Sequence, residues 1–423
     1  MMRYKNLRLL GAFVGVAVVT CGLLSACSTG QSPAASSTLK VLAWKGGGTE
    51  PAGIAEINAA FEKSHPGVKI DFTYMPAGDS YTQKLSAELL AGNAPDVFMG
   101  DPVSTKTLAS SGYLADLGKQ SWASDVLPDL KPFTEGSDGK VYAAPTELIG
   151  ITTYANMDLL KKVGITEVPT TRSIFLDDMA KLKGAGITPL SLPDKSAWTA
   201  ESTLQQIAST LVYRDDPKWD QKFIAGKTSF VRDWSSSAKQ LVDLDSQGYV
   251  AWKSELGIDE WSQGLQDFKA GKSAFWVQGA WNLSGVQQAG INAQIFPWPA
   301  DDGKQVATLF GGVMWQVNKA SKADTVAKEY VDYWSTGHSA PFLNAENAIS
   351  AFKSVSTPKS DATAPFNAAY AAGQYRILPY DTWLNGNGGQ LGQAVQGMLL
   401  GQSTQQQLLA TYDTLGRKAL TSK

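Results

Sequence analysis

The chain has few of the residues that carry reaction chemistry. Its 423 residues include only two cysteines and two histidines. Cys21 lies inside an N-terminal apolar block and Cys27 just after it. Removal of that block as a leader leaves one thiol, so neither an intramolecular disulfide nor a cysteine metal site is expected. His65 and His338 alone leave little for a Ser-His-Asp arrangement or a histidine metal site. Charged residues make up only 18% of the chain, the formal net charge is −2, and no long run of either sign occurs. Nucleic-acid binding needs a basic footprint, which is missing. Internal repeats are missing too, which speaks against an adhesin or structural surface protein. Ala270-Gly271-Lys272-Ser273 ends like a phosphate-binding loop, but six residues separate Gly264 from Gly271 where that loop requires four. No cofactor and no metal is implied.

The N-terminus is more informative. Arg3, Lys5 and Arg8 precede an apolar block from Leu9 to Leu24, lightly broken by Gly11, Gly15, Thr20 and Gly22. That is the layout of a secretory signal. The block ends in Leu24-Ser25-Ala26-Cys27, which looks like a lipobox, so residues 1–26 are expected to be cleaved and Cys27 to carry a lipid. An ordinary secretory signal and an uncleaved transmembrane helix are the alternatives. The small residues before Cys27 and the polar run after it favour processing. Ser, Gly, Pro and Ala then dominate residues 27–38, which hold no charge and nothing large and apolar; this segment reads as a flexible tether. The protein is placed outside the cytoplasm, lipid-anchored on the outer face of the bacterial cell membrane. Loss of the leader takes the net charge to −5 and the length to 397 residues, enough for two domains with large cores.

Beyond the tether, strand and helix patterns alternate. Leu39 to Trp44 reads as a strand, Pro51 to Lys63 as a helix with Ile54, Ile57, Ala60 and Phe61 on one face, and His65-Pro66-Gly67 as its stop. Val68 to Tyr74 is a second strand, Tyr81 to Leu90 a second helix, and Pro95 to Met99 a third strand. This order predicts a mainly parallel α/β sheet with helices on both faces. In such a sheet ligands bind beyond the carboxyl ends of the strands, where Trp44 and Asp101 fall. Thirteen tryptophans are a high load for a soluble chain, and some indoles are expected to face a ligand.

Several stretches resemble the extracellular carbohydrate-binding proteins of ABC importers, the maltose-binding-protein group. They are Ala60 to Val68 (AFEKSHPGV), Leu90 to Val97 (LAGNAPDV), Gly112 to Leu117 (GYLADL), Asp138 to Pro145 (DGKVYAAP), Asn156 to Gly164 (NMDLLKKVG) and Phe268 to Phe275 (FKAGKSAF), followed by Gly279-Ala280-Trp281 and Gly311-Gly312. Each is weak alone; their order and spacing across the chain are specific. The resemblance implies a two-lobed periplasmic-binding-protein-like fold, each lobe a mainly parallel sheet flanked by helices, joined by a hinge of several crossings. The crossings are expected near Pro145–Gly150, Pro299–Gly312 and Leu343–Ser350. The lobes would comprise 39–147 with 304–343, and 148–303 with 344–423. It also implies a monomer that clamps a sugar between lobes and delivers it to a permease and its ATPase subunits, and it makes the His65-Pro66-Gly67 turn structural.

A pyranose has apolar faces and a rim of hydroxyls, so its site needs aromatic platforms together with carboxylates or amides. The Gly279-Ala280-Trp281 resemblance makes Trp281 the leading platform. Trp44, Trp198 and Trp383 follow, because each sits among loop-forming residues. Trp252, Trp261, Trp315 and Trp334 read as core. Asp101 leads the polar candidates, since it follows the third strand directly and resembles an acidic cleft residue of the family; helix N-cap is its other reading. Glu147 stands at the first crossing. Glu50, which also suits a helix start, and Tyr81 are further candidates, and Gly311 and Gly312 would bring backbone close to the ligand or bend the hinge. Four aromatic platforms suit a di- or oligosaccharide. The alternatives are a polyamine, peptide or anion as solute, or a glycosidase using Asp101 with Glu147, whose separation the sequence does not give. Replacing Cys27 with Ser is expected to release the protein from membranes into the medium, and membrane fractionation reads the outcome directly.

Overall fold

Strand β1 (Ser37–Lys45) is buried on both faces: Leu39, Val41 and Ala43 join one core cluster, and Leu42 joins another with Leu85, Leu89 and Phe98. A strand of this kind is covered by helices on both sides. The computed structural model describes residues 37–45, 52–76, 79–379, 383–384 and 387–421. Residues 1–26, which were read as a leader, Cys27 and Glu50 lie outside the described residues.

The covering helices arise from the expected pattern. Helix α1 (Ile54–Ser64) buries Ile54, Ile57 and Phe61 against the first cluster. It ends where His65 stacks on Phe61 with centroids 3.9 Å apart, and Gly67 then turns the chain at φ +92°. Strand β2 (Val68–Pro76) pairs parallel to β1. Helix α2 (Asp79–Ala91) lies on the opposite face through Leu85 and Leu89. β3 (Val97–Gly100) completes the parallel set, with Val97 and Met99 on one face and Phe98 on the other. Helix α3 (Pro102–Ser110) begins immediately after Asp101.

Two sheets result. The first has the order β2-β1-β3-β10-β4, where β4 is Ala143–Pro145 and β10 is Met314–Val317; only β10 opposes the others. The second is built around β5 (Glu147–Asn156), all ten residues of which are buried. β5 runs antiparallel to β7 (Ser273–Gly279), β8 (Ala293–Phe296), β9 (Ala307–Gly311) and β11 (Ile349–Ser350). β6 (Thr188–Ser191) and β12 (Tyr375–Ile377) extend this sheet parallel to β7 and β9. Within each sheet one strand is reversed and the rest run together, so the mainly parallel α/β expectation holds for strand direction while the pairs around the reversed strand are antiparallel.

The chain passes between sheets at Thr146, between β4 and β5, and again at Gly312-Val313, between β9 and β10. These passages are bonded to each other: Thr146 N and Oγ1 donate to Val313 O at 3.1 and 2.7 Å, and Gly312 N donates to Glu147 O at 3.1 Å. A third passage runs from the helix Ala340–Glu346 into β11, which pairs with Glu147 and Leu148. Residues 304–311 were expected with the first lobe. β9 is instead hydrogen-bonded into the second sheet, because its partners along β5 and β12 fix its place and its own apolar run does not.

Asp194 and Glu255 are among the carboxylates buried inside this scaffold. Burial pushes Asp194 up to about 7 despite bonds from Ala200 N and Gln396, and likewise pushes Glu255 up to about 7 despite bonds from Leu192 N and Ser191. Both hold a proton in the fold at pH values where the unfolded chain has released it. Their contribution to stability therefore falls as pH rises from about 4.5 to about 7. The thermal midpoint is expected to rise as pH is lowered from 7.5 to 5.5, and Glu255→Gln to flatten that slope by up to about 1.4 kcal/mol per pH unit, as measured by calorimetry across the window.

Candidate functional site

A cavity of about 830 Å³ opens where strands of both sheets end. Trp44 and Lys45 close β1, Asp101 follows β3, Trp281 follows β7, Gly311 closes β9, and Glu147 opens the reversed strand β5. This is the position that an α/β sheet reserves for ligands, reached here from two sheets.

One wall is indole. Trp198, Trp261 and Trp281 come from three segments, and their rings lie 5.1 Å (Trp198–Trp261), 5.9 Å (Trp198–Trp281) and 6.2 Å (Trp261–Trp281) apart. Phe310 meets Trp281 edge-on at 6.0 Å. The ring of Trp281 folds back over Gly279, where an added Cβ would stand 2.0 Å from Cζ3. The glycine of the Gly279-Ala280-Trp281 motif is thus a steric requirement of the indole's pose. Trp44 faces the cavity from the first sheet, its Nε1 donating to Met99 O at 3.1 Å. Nine of the thirteen tryptophans are buried; the other four, Trp44, Trp198, Trp261 and Trp281, are those that line the cavity. Half-buried aromatic rings gathered in one concavity mark a binding surface.

The end of the cavity at the passages between the sheets is polar. Glu147 is fully buried and accepts a hydrogen bond from Lys45, which also pairs with Glu346 at 2.9 Å and lies over the Phe342 ring at 4.8 Å. Burial pushes Glu346 up to about 7; the Lys45 ammonium opposes the rise and the Glu147 carboxylate adds to it. Burial acts to lower Lys45, but the two carboxylates outweigh it and hold the ammonium above its ordinary value. Among the described residues, Glu147 Oε2 is buried without a hydrogen-bond partner. Gly312 packs against this side chain so closely that a Cβ there would sit 2.2 Å from Glu147 Cγ. The glycine accommodates Glu147, and its amide is already bonded to the Glu147 carbonyl. Gly311 is less constrained, with Phe133 3.3 Å and Pro102 3.6 Å from an added Cβ. Asp101 is the helix N-cap, its Oδ1 accepting from Ser104 N at 2.6 Å at the start of α3, and the residue also borders the cavity.

Of the candidates read from sequence, the structure brings together Trp44, Asp101, Glu147, Trp198, Trp281, Gly311 and Gly312. Two lie elsewhere. Trp383 is 5% exposed and packs on Phe223 at 5.0 Å beneath the helix Gln405–Thr421, whose Gly416 leaves room for it. It belongs to the second core because this C-terminal helix covers it. Tyr81 is buried under Trp44, with ring centroids 6.0 Å apart, and its hydroxyl donates to the Met99 carbonyl that also holds Trp44. Trp252, Trp315 and Trp334 are core as expected, whereas Trp261 lines the cavity. Its signal was the flanking Asp259 and Ser262: Asp259 Oδ1 accepts from Trp261 N and Ser262 N, so the ring sits on a capped turn. Lys45, Phe310 and Glu346 also border the cavity with no local sequence signal.

Residues 45–336 match the family model for bacterial extracellular solute-binding proteins. A maltooligosaccharide ABC transporter solute-binding lipoprotein from Streptococcus pneumoniae is 26% identical over 347 residues, covering 76% of this chain and 75% of its own. A galactooligosaccharide-binding protein from Bacillus subtilis is 26% identical over 317 residues, or 72% of each chain. Among solved structures, the GacH receptor of Streptomyces glaucescens has a TM-score of 0.70 at 22% identity, covering 91% of this chain and 99% of that one. A sugar transporter protein from Bacillus licheniformis in complex with stachyose has a TM-score of 0.66 at 20% identity, covering 92% and 100%. These structures share the fold. With the family model matching more than half of its length, the chain belongs to the bacterial extracellular solute-binding proteins.

Proposed function

We propose that the cavity holds a carbohydrate of two or more rings and that the sugar-loaded protein hands it to the permease of an ABC importer, with no chemistry done on the sugar. The observation that carries this reading is the make-up of the cavity lining: half-buried indoles from both sheets together with Lys45, Asp101, Glu147 and Glu346. Indole faces suit the C–H faces of a pyranose, while carboxylates and an ammonium suit its hydroxyls. Relatives named for maltooligosaccharide and galactooligosaccharide support the same class of solute.

The walls come from both sheets, so a sugar spanning the cavity touches both at once only when they are close together. Such a ligand favours the closed arrangement through its differential contacts. Thr146, Gly312-Val313 and the segment before β11 would be the hinge, and closure the signal that the permease reads. Cys27 would carry the lipid anchor, leaving residues 27–38 as the tether.

A thermal-shift panel of glucose, maltotriose, raffinose, N,N′-diacetylchitobiose and spermidine tests the class, because a ligand that binds only the native protein raises its melting temperature. A shift with an oligosaccharide is expected. A shift with spermidine alone would transfer the site to amines held by the three carboxylates. Trp281→Ala is expected to cost about 2–4 kcal/mol of sugar binding by calorimetry. Trp315→Ala, which removes an equal ring from the core, is expected to cost about 3–5 kcal/mol of stability while leaving affinity unchanged.

A further inference from the structure

The indole wall is assembled from three segments distant in sequence, and two buried polar side chains, Glu260 and Gln278, bond to the backbone or surface groups beside its rings. Glu260 is fully buried next to Trp261 and accepts from Ser196, two residues before Trp198, through both the hydroxyl and, at 3.2 Å, the backbone N–H. The Glu260 carbonyl accepts from Gln278 Nε2 at 3.4 Å. Gln278 Oε1 in turn accepts at 2.9 Å from the N–H of Gly279, on which the Trp281 ring lies. Gln278 is fully buried as well. Two inward-facing side chains therefore connect the bases of three rings. Among the described residues Glu260 has no salt bridge, and a buried carboxylate without a cation is costly to keep.

A second observation falls at the same place. Ala197 has φ +65°, in the left-handed region that a residue with a Cβ rarely adopts; among the described residues the only other non-glycine case is Asn347, whose side chain tolerates that region. Such strain persists where the surroundings impose it, and it concentrates at functional positions. Here the helix Gly388–Leu399 imposes it. Gly392 lies against the Ala197 carbonyl, where an added Cβ would come within 1.7 Å of the oxygen, and Gln396 donates to the Asp194 carbonyl. The next residue is Trp198.

We infer that Glu260 and Gln278, together with the strained Ala197, are positioning residues that fix the spacing of the three indoles and so set sugar affinity without touching the sugar. The effect on affinity rests on the cavity holding a carbohydrate; the placement of Trp198 does not, and it is measurable in sugar-free protein. A wall held in one arrangement loses less freedom when a ligand docks.

The test uses the full chain labelled with 5-fluorotryptophan, the Trp198 signal being assigned by its loss in Trp198→Phe. Ala197→Gly relaxes the strained backbone and removes no hydrogen bond. It is expected to shift or broaden the Trp198 fluorine signal while the thermal midpoint stays within a few degrees. With the panel sugar that gives the largest thermal shift among maltotriose, raffinose and N,N′-diacetylchitobiose, Ala197→Gly is expected to lower affinity about 5- to 10-fold and to have no further effect in a Trp198→Ala background. Glu260→Ala is expected to disturb the same signal, and Glu260→Gln to restore it in part. An unchanged Trp198 signal in Ala197→Gly overturns the inference, as does an affinity loss that persists in full in the Trp198→Ala background. If Trp198→Ala leaves sugar affinity unchanged while Ala197→Gly still moves the fluorine signal, positioning stands and the sugar platform at Trp198 falls.

Discussion

A carboxylate taken out of water needs a cation or hydrogen bonds close by, and Glu147 finds Lys45. That contact organises the middle of the molecule. Glu147 is the first residue of the reversed strand β5, its carbonyl receives Gly312 N, its side chain fills the space that Gly312 leaves open, and its backbone pairs with Ser350. All three passages between the sheets thus meet at one residue. The same Lys45 reaches Glu346 at the start of the third passage. A buried pair of this kind is weak as a source of net stability, but breaking it leaves a charge uncompensated.

From that junction the cavity acquires two characters. It is charged at the passages between the sheets, where Lys45, Glu147 and Glu346 gather, and aromatic where β7, β9 and two loops deliver Trp281, Phe310, Trp198 and Trp261. The tryptophans separate cleanly by environment. Nine are packed into the cores, such as Trp315 and Trp334 with ring centroids 5.1 Å apart, and four are left half-open in the cavity. Half-buried rings lose apolar contact that a ligand can restore, which is why this surface reads as a site.

Much of the first sheet was legible locally. The mostly apolar stretch from Leu39 to Trp44 and the Ile54-Ile57-Phe61 face set a strand and a helix within a few residues of their observed ends, and Asp101 after β3 was visible both as a cap and as a residue at the strand end where the cavity lies. Trp383 shows where local reading stops. Its glycine- and asparagine-rich neighbours suggested a loop open to solvent, but the helix Gln405–Thr421 closes over it. Trp261 errs the other way, since nothing within its own segment reveals that Trp198 and Trp281 stand beside it.

The sequence by itself determined the α/β class, the family to which the chain belongs and most of the residues at the strand ends, because hydrophobic period, turn chemistry and motif order are properties of short segments. Only the tertiary structure decided which indoles are buried, that Lys45 and Glu346 join Glu147, that β9 lies in the second sheet, and that Glu260 and Gln278 link the bases of three rings. Those outcomes depend on pairing between residues tens to hundreds of positions apart, and burial is settled by what packs on a side chain rather than by what precedes it in the chain.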